Sequence, residues 1–325
     1  MIELSPENEH LTAIREAAAR IEGHVRRTPI LRSDISTGLL VKPESLQVTG
    51  SFKARGAFNA VLSLLEREPG VTGVVTHSSG NHGQALACAA RSAGLPATIV
   101  VPEGVTPAKV EGIRSFGATV VSGGVTYDNR EEVAERIART EGLHLIHPYD
   151  DWDVIHGAGT VGLEILGDVP APGAVVVPIG GGGQISGVAL ACAQLSPGTA
   201  VIGVEPEAAD DAARSLHSGT LQALTSDPVT LAEGVKSKSV GVHNFEVIVS
   251  SHLVRDVVTV SESELVDALR VAWTRLKLAI EPTGALALAA YLTGRVPAGS
   301  PERPTVIVLS GGNFDPATVA AILAA

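Results

Sequence analysis

Lys53 stands in the run Thr49-Gly50-Ser51-Phe52-Lys53-Ala54-Arg55-Gly56, just past a glycine turn and at the start of an apolar segment. A lysine held at the mouth of a helix and partly desolvated loses some preference for its ammonium form, and the free amine attacks a carbonyl carbon. Moving its pKa from about 10.4 towards 7 to 8 costs about 3 to 5 kcal/mol of differential solvation, which a buried pocket supplies. Read alone, the stretch also fits a surface lysine capping a turn, because lysines are mostly exposed.

Three further stretches carry polar groups at strand ends. Gly180-Gly181-Gly182-Gly183-Gln184 lies between the apolar run Ala174-Val175-Val176-Val177 and an alanine-rich helix. Successive glycines there let backbone N–H groups converge on an anion, and the helix N-terminus adds its positive dipole end. The same unit imitates a dinucleotide fold, with Gly181-x-Gly183-x-x-Ser186 opening the helix and Glu205 ending the next strand. That rival is weakened by Ser186 in place of the third glycine and by the mid-chain position. Thr76-His77-Ser78-Ser79-Gly80-Asn81-His82-Gly83 is a second strand-to-helix loop. Its hydroxyls, amide and N–H groups suit a carboxylate or a ring oxygen, although Ser78 or Ser79 could simply cap the helix. Ser310, in Leu309-Ser310-Gly311-Gly312-Asn313, follows a buried strand where α/β ligand crevices form.

The elements that must hold these residues follow from periodicity. A helical spacing over residues 8 to 22 precedes a break at Thr28-Pro29, a strand at Leu39 to Lys42 and the lysine helix. Strands near residues 73, 97, 118 and 143 then alternate with helices, and a second set near 174, 200 and 306 does the same, with a long helix expected from Glu264 to Leu278. This rhythm predicts an α/β protein of two-lobed, open, twisted parallel sheets covered by helices. Residues 1–72 and 149–325 are expected to form a large domain and 73–148 a small one that moves over the ligand, which binds in the crevice between them.

Composition sets outer bounds. The 325 residues are 45% hydrophobic, and the formal net charge is -11, which argues against nucleic acid or an anionic membrane as partner. Cys88 and Cys192 sit among alanines, so neither a disulfide framework nor a thiolate metal site is expected, in keeping with a reducing cytoplasm. The acidic start Met1 to Glu7 lacks the features of a signal peptide, and no apolar run reaches the length of about 18 residues that a membrane span needs.

In order and spacing, the lysine, glycine tetrad, polar loop and strand-end serine resemble the fold-type II pyridoxal-phosphate enzymes, the fold of tryptophan synthase beta, and within them the serine/threonine dehydratase and serine racemase group. The resemblance runs from about Thr28 to Asp315. It implies a Schiff-base lysine at Lys53, flanked by Phe52, and a phosphate cradle at Gly180 to Gly183 with Gln184. Asn81 would bond the cofactor's ring hydroxyl and Ser310 its pyridine nitrogen. Ser78, Ser79, Asn81 and His82 would grip the substrate carboxylate, and Ser79 would serve as the second acid or base that racemisation needs.

By the same likeness, Glu205, the Ala209 carbonyl and Asp211 match a divalent-cation site for Mg²⁺, Mn²⁺ or Ca²⁺; the residues alone read as acids complementing a helix dipole. The expected activity is an ammonia-lyase (dehydratase) acting on L-serine, L-threonine or a 3-hydroxyaspartate, with racemisation as a parallel or main activity. A homodimer without the C-terminal sensing domain of biosynthetic threonine dehydratases is expected. A pocket edged by Ser79, His82 and Gly157 would admit the substrate, with His147, Pro148, Tyr149 and Asp150 facing its β-substituent or forming a linker turn in water. An NAD-binding dehydrogenase and a non-catalytic small-ligand sensor are the alternatives from other classes.

Overall fold

The computed structural model describes residues 9–324. Its strands in chain order are β1 (Leu31–Arg32), β2 (Leu39–Pro43), β3 (Val74–His77), β4 (Ala97–Val100), β5 (Thr119–Val121), β6 (His144–Leu145), β7 (Ala174–Pro178), β8 (Ala200–Pro206), β9 (Asp256–Val260) and β10 (Thr305–Leu309). The helices are α1 (Glu9–Arg20), α2 (Lys53–Arg67), α3 (Asn81–Ser92), α4 (Pro107–Arg114), α5 (Arg130–Glu141), α6 (Trp152–Asp168), α7 (Gly183–Leu195), α8 (Asp211–Ser218), α9 (Val242–Phe245), α10 (Glu262–Val271), α11 (Pro282–Leu292) and α12 (Pro316–Ala324). The acidic start at Met1 to Glu7 lies outside the described residues.

Two sheets form. One has the order β1-β2-β10-β7-β8-β9, the other β5-β4-β3-β6. All neighbours run parallel except β1 and β2. Every residue of β7, β8 and β10 is buried, as expected of strands covered on both faces, and this explains their near-continuous Val and Ile runs. Because the strands run in one direction, the loops leaving β3, β7 and β10 open at carboxyl ends, where crevices form.

Close helix crossings depend on missing side chains. A Cβ at Gly187 of α7 would lie 2.4 Å from the Ile155 carbonyl oxygen of α6, and one at Gly157 of α6 would lie 2.5 Å from the Arg55 carbonyl oxygen of α2. Gly157 therefore belongs to a helix crossing rather than to the edge of a substrate pocket. Under α2 lies a buried ion network. Arg55 donates to Glu44 from Nε at 2.7 Å and to Glu164 from Nη1 at 2.7 Å, while Lys42 donates to Glu164 at 2.5 Å. Glu44 holds Arg55 firmly protonated, and burial in turn lowers the pKa of Lys42.

The helix expected from Glu264 to Leu278 is shorter and ends differently. A capping box of Ser261 and Glu264 starts α10 at Glu262, and wider turns over Ala272–Leu276 stop at Lys277 with φ 57°. There the Trp273 indole donates to the Ile280 carbonyl at 3.0 Å, folding the chain back toward α11. α8 begins at Asp211, where the acids read as complementing a helix dipole, whereas β9 lies where periodicity predicts no strand. Only two of the five β9 residues are buried, which weakens the apolar signal on which such a reading rests.

Candidate active site

Lys53 opens α2, and that end of the helix is tied to the end of β10. Phe52 N–H donates to the Ser310 carbonyl at 3.1 Å, Gly312 N–H to the Gly50 carbonyl at 2.8 Å, and Ser51 forms a bridge with Gly311. The turn before it needs two left-handed residues, Thr49 at φ 61° and Gly50 at φ 75°. For a β-branched threonine this is strained, and the Asn313 amide, donating to the Thr49 carbonyl at 2.6 Å, holds it there. Lys53 Nζ lies 5.2 Å from the centre of the Phe52 ring and donates to the Pro148 carbonyl at 2.6 Å. Burial lowers the pKa of its amine to about 8. His82 is buried, and burial, followed by the nearby Lys53 charge, holds its pKa well below the usual imidazole range.

The polar loop meets the same corner. Gly80 precedes α3 with no side chain capping its first turn, so the simple capping reading of Ser78 and Ser79 does not hold. Both serines are half-buried. A Cβ at Gly83 would lie 2.2 Å from the Ser78 carbonyl oxygen, so glycine lets the loop fold back against its helix. Asn81 donates from Nδ2 to Glu281 Oε1 at 2.7 Å, and its Oδ1 accepts from Asn313 Nδ2 at 2.8 Å. Burial pushes the pKa of Glu281 up to about 7, against the opposing Asn81 hydrogen bond.

The glycine loop forms another wall. Gly182 is left-handed at φ 95° and starts α7 without a side-chain cap, leaving helix N–H groups to a ligand. A Cβ on Gly181 would lie 2.1 Å from the Tyr149 ring, and one on Gly182 would lie 2.7 Å from Asn244 Cβ. Asn244 braces the loop by donating to the carbonyls of Gly181 and Tyr149, each at 2.9 Å. Gln184 is 3% exposed, yet neither atom of its amide has a hydrogen-bond partner. Buried polar groups are normally satisfied, so an uncapped helix end beside an orphaned amide fits a phosphate. The dinucleotide alternative loses its acid, because Glu205 accepts from the N–H groups of Ala212 and Ala213 at 3.1 and 2.9 Å.

Residues 21–311 match the family model described as "Pyridoxal-phosphate dependent enzyme". The chain belongs to that family. It is 43% identical to serine racemase of Arabidopsis thaliana over 315 residues, covering 94% of this chain and 93% of the relative. It is 42% identical to L-threo-3-hydroxyaspartate ammonia-lyase of Pseudomonas sp over 313 residues, covering 95% and 96%. The crystal structure of a threonine deaminase from T.th. superposes with a TM-score of 0.87 at 45% identity, covering 94% of this chain and 98% of that one. The α/β architecture is thus that of the fold-type II members of the family.

Glu205, Ala209 and Asp211 gather at the end of β8 and the start of α8, all buried. Asp211 Oδ2 has no partner, and its pKa is raised to about 7, chiefly by burial. Burial and the Asp211 charge push Glu205 well above the carboxylate range. An unpartnered buried carboxylate oxygen beside a second acid fits a hard divalent cation. His77, Glu131 and His147 also bring possible ligand atoms within 4.8 Å of one another. His147 Nδ1, however, accepts from Asp150 N–H at 2.8 Å, so the neutral ring keeps its proton on Nε2, 3.5 Å from Glu131. Both ring nitrogens of His77, buried beside them, have no hydrogen-bond partner among the described residues.

Asp150 corrects an expectation. Its carboxylate accepts from the N–H groups of Val242 and His243, each at 2.9 Å, so it caps α9 instead of facing a β-substituent. Glu281 and Asn244 carried no sequence signal. Glu281-Pro282 looks like an ordinary helix start, and Asn244 lies in the least regular stretch.

Proposed function

We propose that the protein is an ammonia-lyase of this family, converting L-serine, L-threonine or a 3-hydroxyaspartate to a 2-oxo acid and ammonia, with racemisation on the same site. Lys53 carries the reading: its buried amine has a pKa of about 8 and sits where the ends of α2 and β10 are joined. When bound, pyridoxal phosphate supplies the electron sink for charge at the substrate's Cα. Gly180 to Gly183 and Gln184 hold the phosphate, Asn81 the ring oxygen and Ser310 the pyridine nitrogen, with Phe52 beside Lys53. Lys53 would anchor the cofactor, and its amine would serve as the base that removes the α-proton. Ser78, Ser79, Asn81 and His82 orient the substrate carboxylate, setting the Cα–H bond for transfer. Ser79 works from the opposite face, delivering a proton when racemisation replaces loss of the β-hydroxyl.

Glu205, Asp211 and the Ala209 carbonyl bind Mg²⁺, Mn²⁺ or Ca²⁺, supported by the unpartnered Asp211 oxygen. Residues 73–148 move as a body over the substrate. The family likeness also supports a homodimer in the cytoplasm, and sedimentation of the holo-protein checks the first.

An ammonia-release screen over both enantiomers of serine, threonine and 3-hydroxyaspartate, with chiral analysis of unreacted substrate, tests the assignment. Borohydride should abolish the visible band and leave the cofactor's mass on the Lys53 peptide. Turnover confined to substrates without a β-leaving group would sink the lyase reading. Ser79→Ala should abolish racemisation and spare 2-oxo acid formation.

A further inference from the structure

Asn81 is a primary amide with two N–H donors on one end and an acceptor on the other, so its usefulness to a ligand depends on which way it is turned. Both ends are fixed by partners of definite polarity. Asn313 Nδ2 donates to Asn81 Oδ1 at 2.8 Å, and the same nitrogen donates to the Thr49 backbone carbonyl at 2.6 Å. A carbonyl only accepts, which settles how Asn313 is oriented and makes it a donor toward Asn81. At the other end Glu281 Oε1, an acceptor when ionised, takes an Asn81 N–H at 2.7 Å.

Glu281 is built into this place. It precedes the first turn of α11, where its carboxylate caps none of that helix's own N–H groups. Its backbone N–H donates to the Gly311 carbonyl at 3.1 Å, and a Cβ on Gly311 would lie 2.4 Å from Glu281 Oε1, so only glycine leaves room for the carboxylate. The residue is 8% exposed. Apart from Asn81 on α3, the charged groups acting on it are Lys109 from α4 and Glu233 from the turn at 233–235.

We propose that ionised Glu281 is a positioning residue, which fixes the nitrogen end of the Asn81 amide and leaves it one N–H to donate, and thereby selects the deprotonated ring oxygen of the cofactor. The inference rests on the reading of Asn81 as partner of that oxygen. With Glu281 protonated, its O–H could instead donate to Asn81 and the selection relaxes. The carboxyl has a pKa of about 7, so the control falls in the neutral range, with selection strongest on the alkaline side.

The test titrates apo wild type, Glu281→Gln and Asn313→Asp with pyridoxal phosphate across the neutral range, and follows the visible band of each holo-protein against pH. Wild type should bind more tightly as pH rises through about 7. Glu281→Gln, whose amide can present either polarity to Asn81, should lose that pH step and bind about tenfold more weakly on the alkaline side, the loss of one charge-assisted hydrogen bond. Asn313→Asp removes the donor at the other end and should weaken binding in the same direction, which keeps the test alive if Glu281→Gln fails to fold. Superimposable affinity and band titrations of wild type and Glu281→Gln overturn the proposal while leaving the cofactor reading intact. A wild type that binds no pyridoxal phosphate overturns both.

Discussion

Lys53 carries the plainest pH signature at the scale of single residues. Its pKa is depressed to about 8, so the amine is protonated below that value and free above it. The rate at which apo-protein captures pyridoxal phosphate should rise with a midpoint near pH 8 in stopped-flow absorbance, and Lys53→Ala should cut turnover by about 10³-fold or more. Asp211 and Glu205 behave in the opposite sense, because their folded pKa values lie above the unfolded ones. Their favourable contribution is complete below the ordinary carboxylate range and is lost as pH rises, through about 7 for Asp211. Metal-free protein should therefore lose thermal stability between about pH 4 and 7. Mg²⁺ should restore about 2.7 kcal/mol at a hundred times its Kd. Asp211→Asn should reduce that pH slope and make the melting curve indifferent to chelator.

Elements position these groups through close approach, and two glycines separate the ways that approach is used. Gly187→Ala forces a methyl into the backbone of α6, with no flexible side chain to give way. It should destabilise the fold by about 1 to 3 kcal/mol or more, read as a lowered Cm in urea. Gly181→Ala meets the Tyr149 ring instead, on the wall of the glycine loop proposed to hold the phosphate. It should weaken cofactor binding more than it lowers Cm. The network beneath α2 is a third case. Arg55→Met leaves Glu44 and Glu164 without their shared guanidinium, and breaking a buried pair of this kind costs about 3 to 5 kcal/mol.

Across the whole molecule, two exposed ion pairs join the part carrying the four-stranded sheet to the part carrying the six-stranded one. Lys109 pairs with Glu233, and Lys238 pairs with Asp128 at 2.5 Å. Exposed pairs are weak and screened by salt, so on the proposal that residues 73–148 move over the substrate they would act as a reversible latch. If residues 73–148 close over the substrate, KM should rise a few-fold with ionic strength in wild type and become salt-independent in the double variant Lys109→Met, Lys238→Met. Hydrogen exchange in α4 and α5 should quicken in that variant, and an unchanged salt response would remove the latch.

The sequence alone determined the alternation of strands and helices that makes two largely parallel sheets, β9 and the end of α10 excepted, and the places where Lys53, Asn81, the glycine loop and Ser310 leave strand ends or open helices. These are local properties, written in apolar periodicity and in residues that tolerate tight turns. What it could not determine was which polar groups face one another across long stretches of chain. Glu281 meets Asn81 from 200 positions away, and Asn244 reaches Tyr149 from 95. Asp150 turned out to cap α9, and Gly157 to pack against α2. Such pairings, like the raised pKa values of Glu281 and Asp211, arise from burial and proximity that only the packed sheets create, so only the tertiary structure decided them.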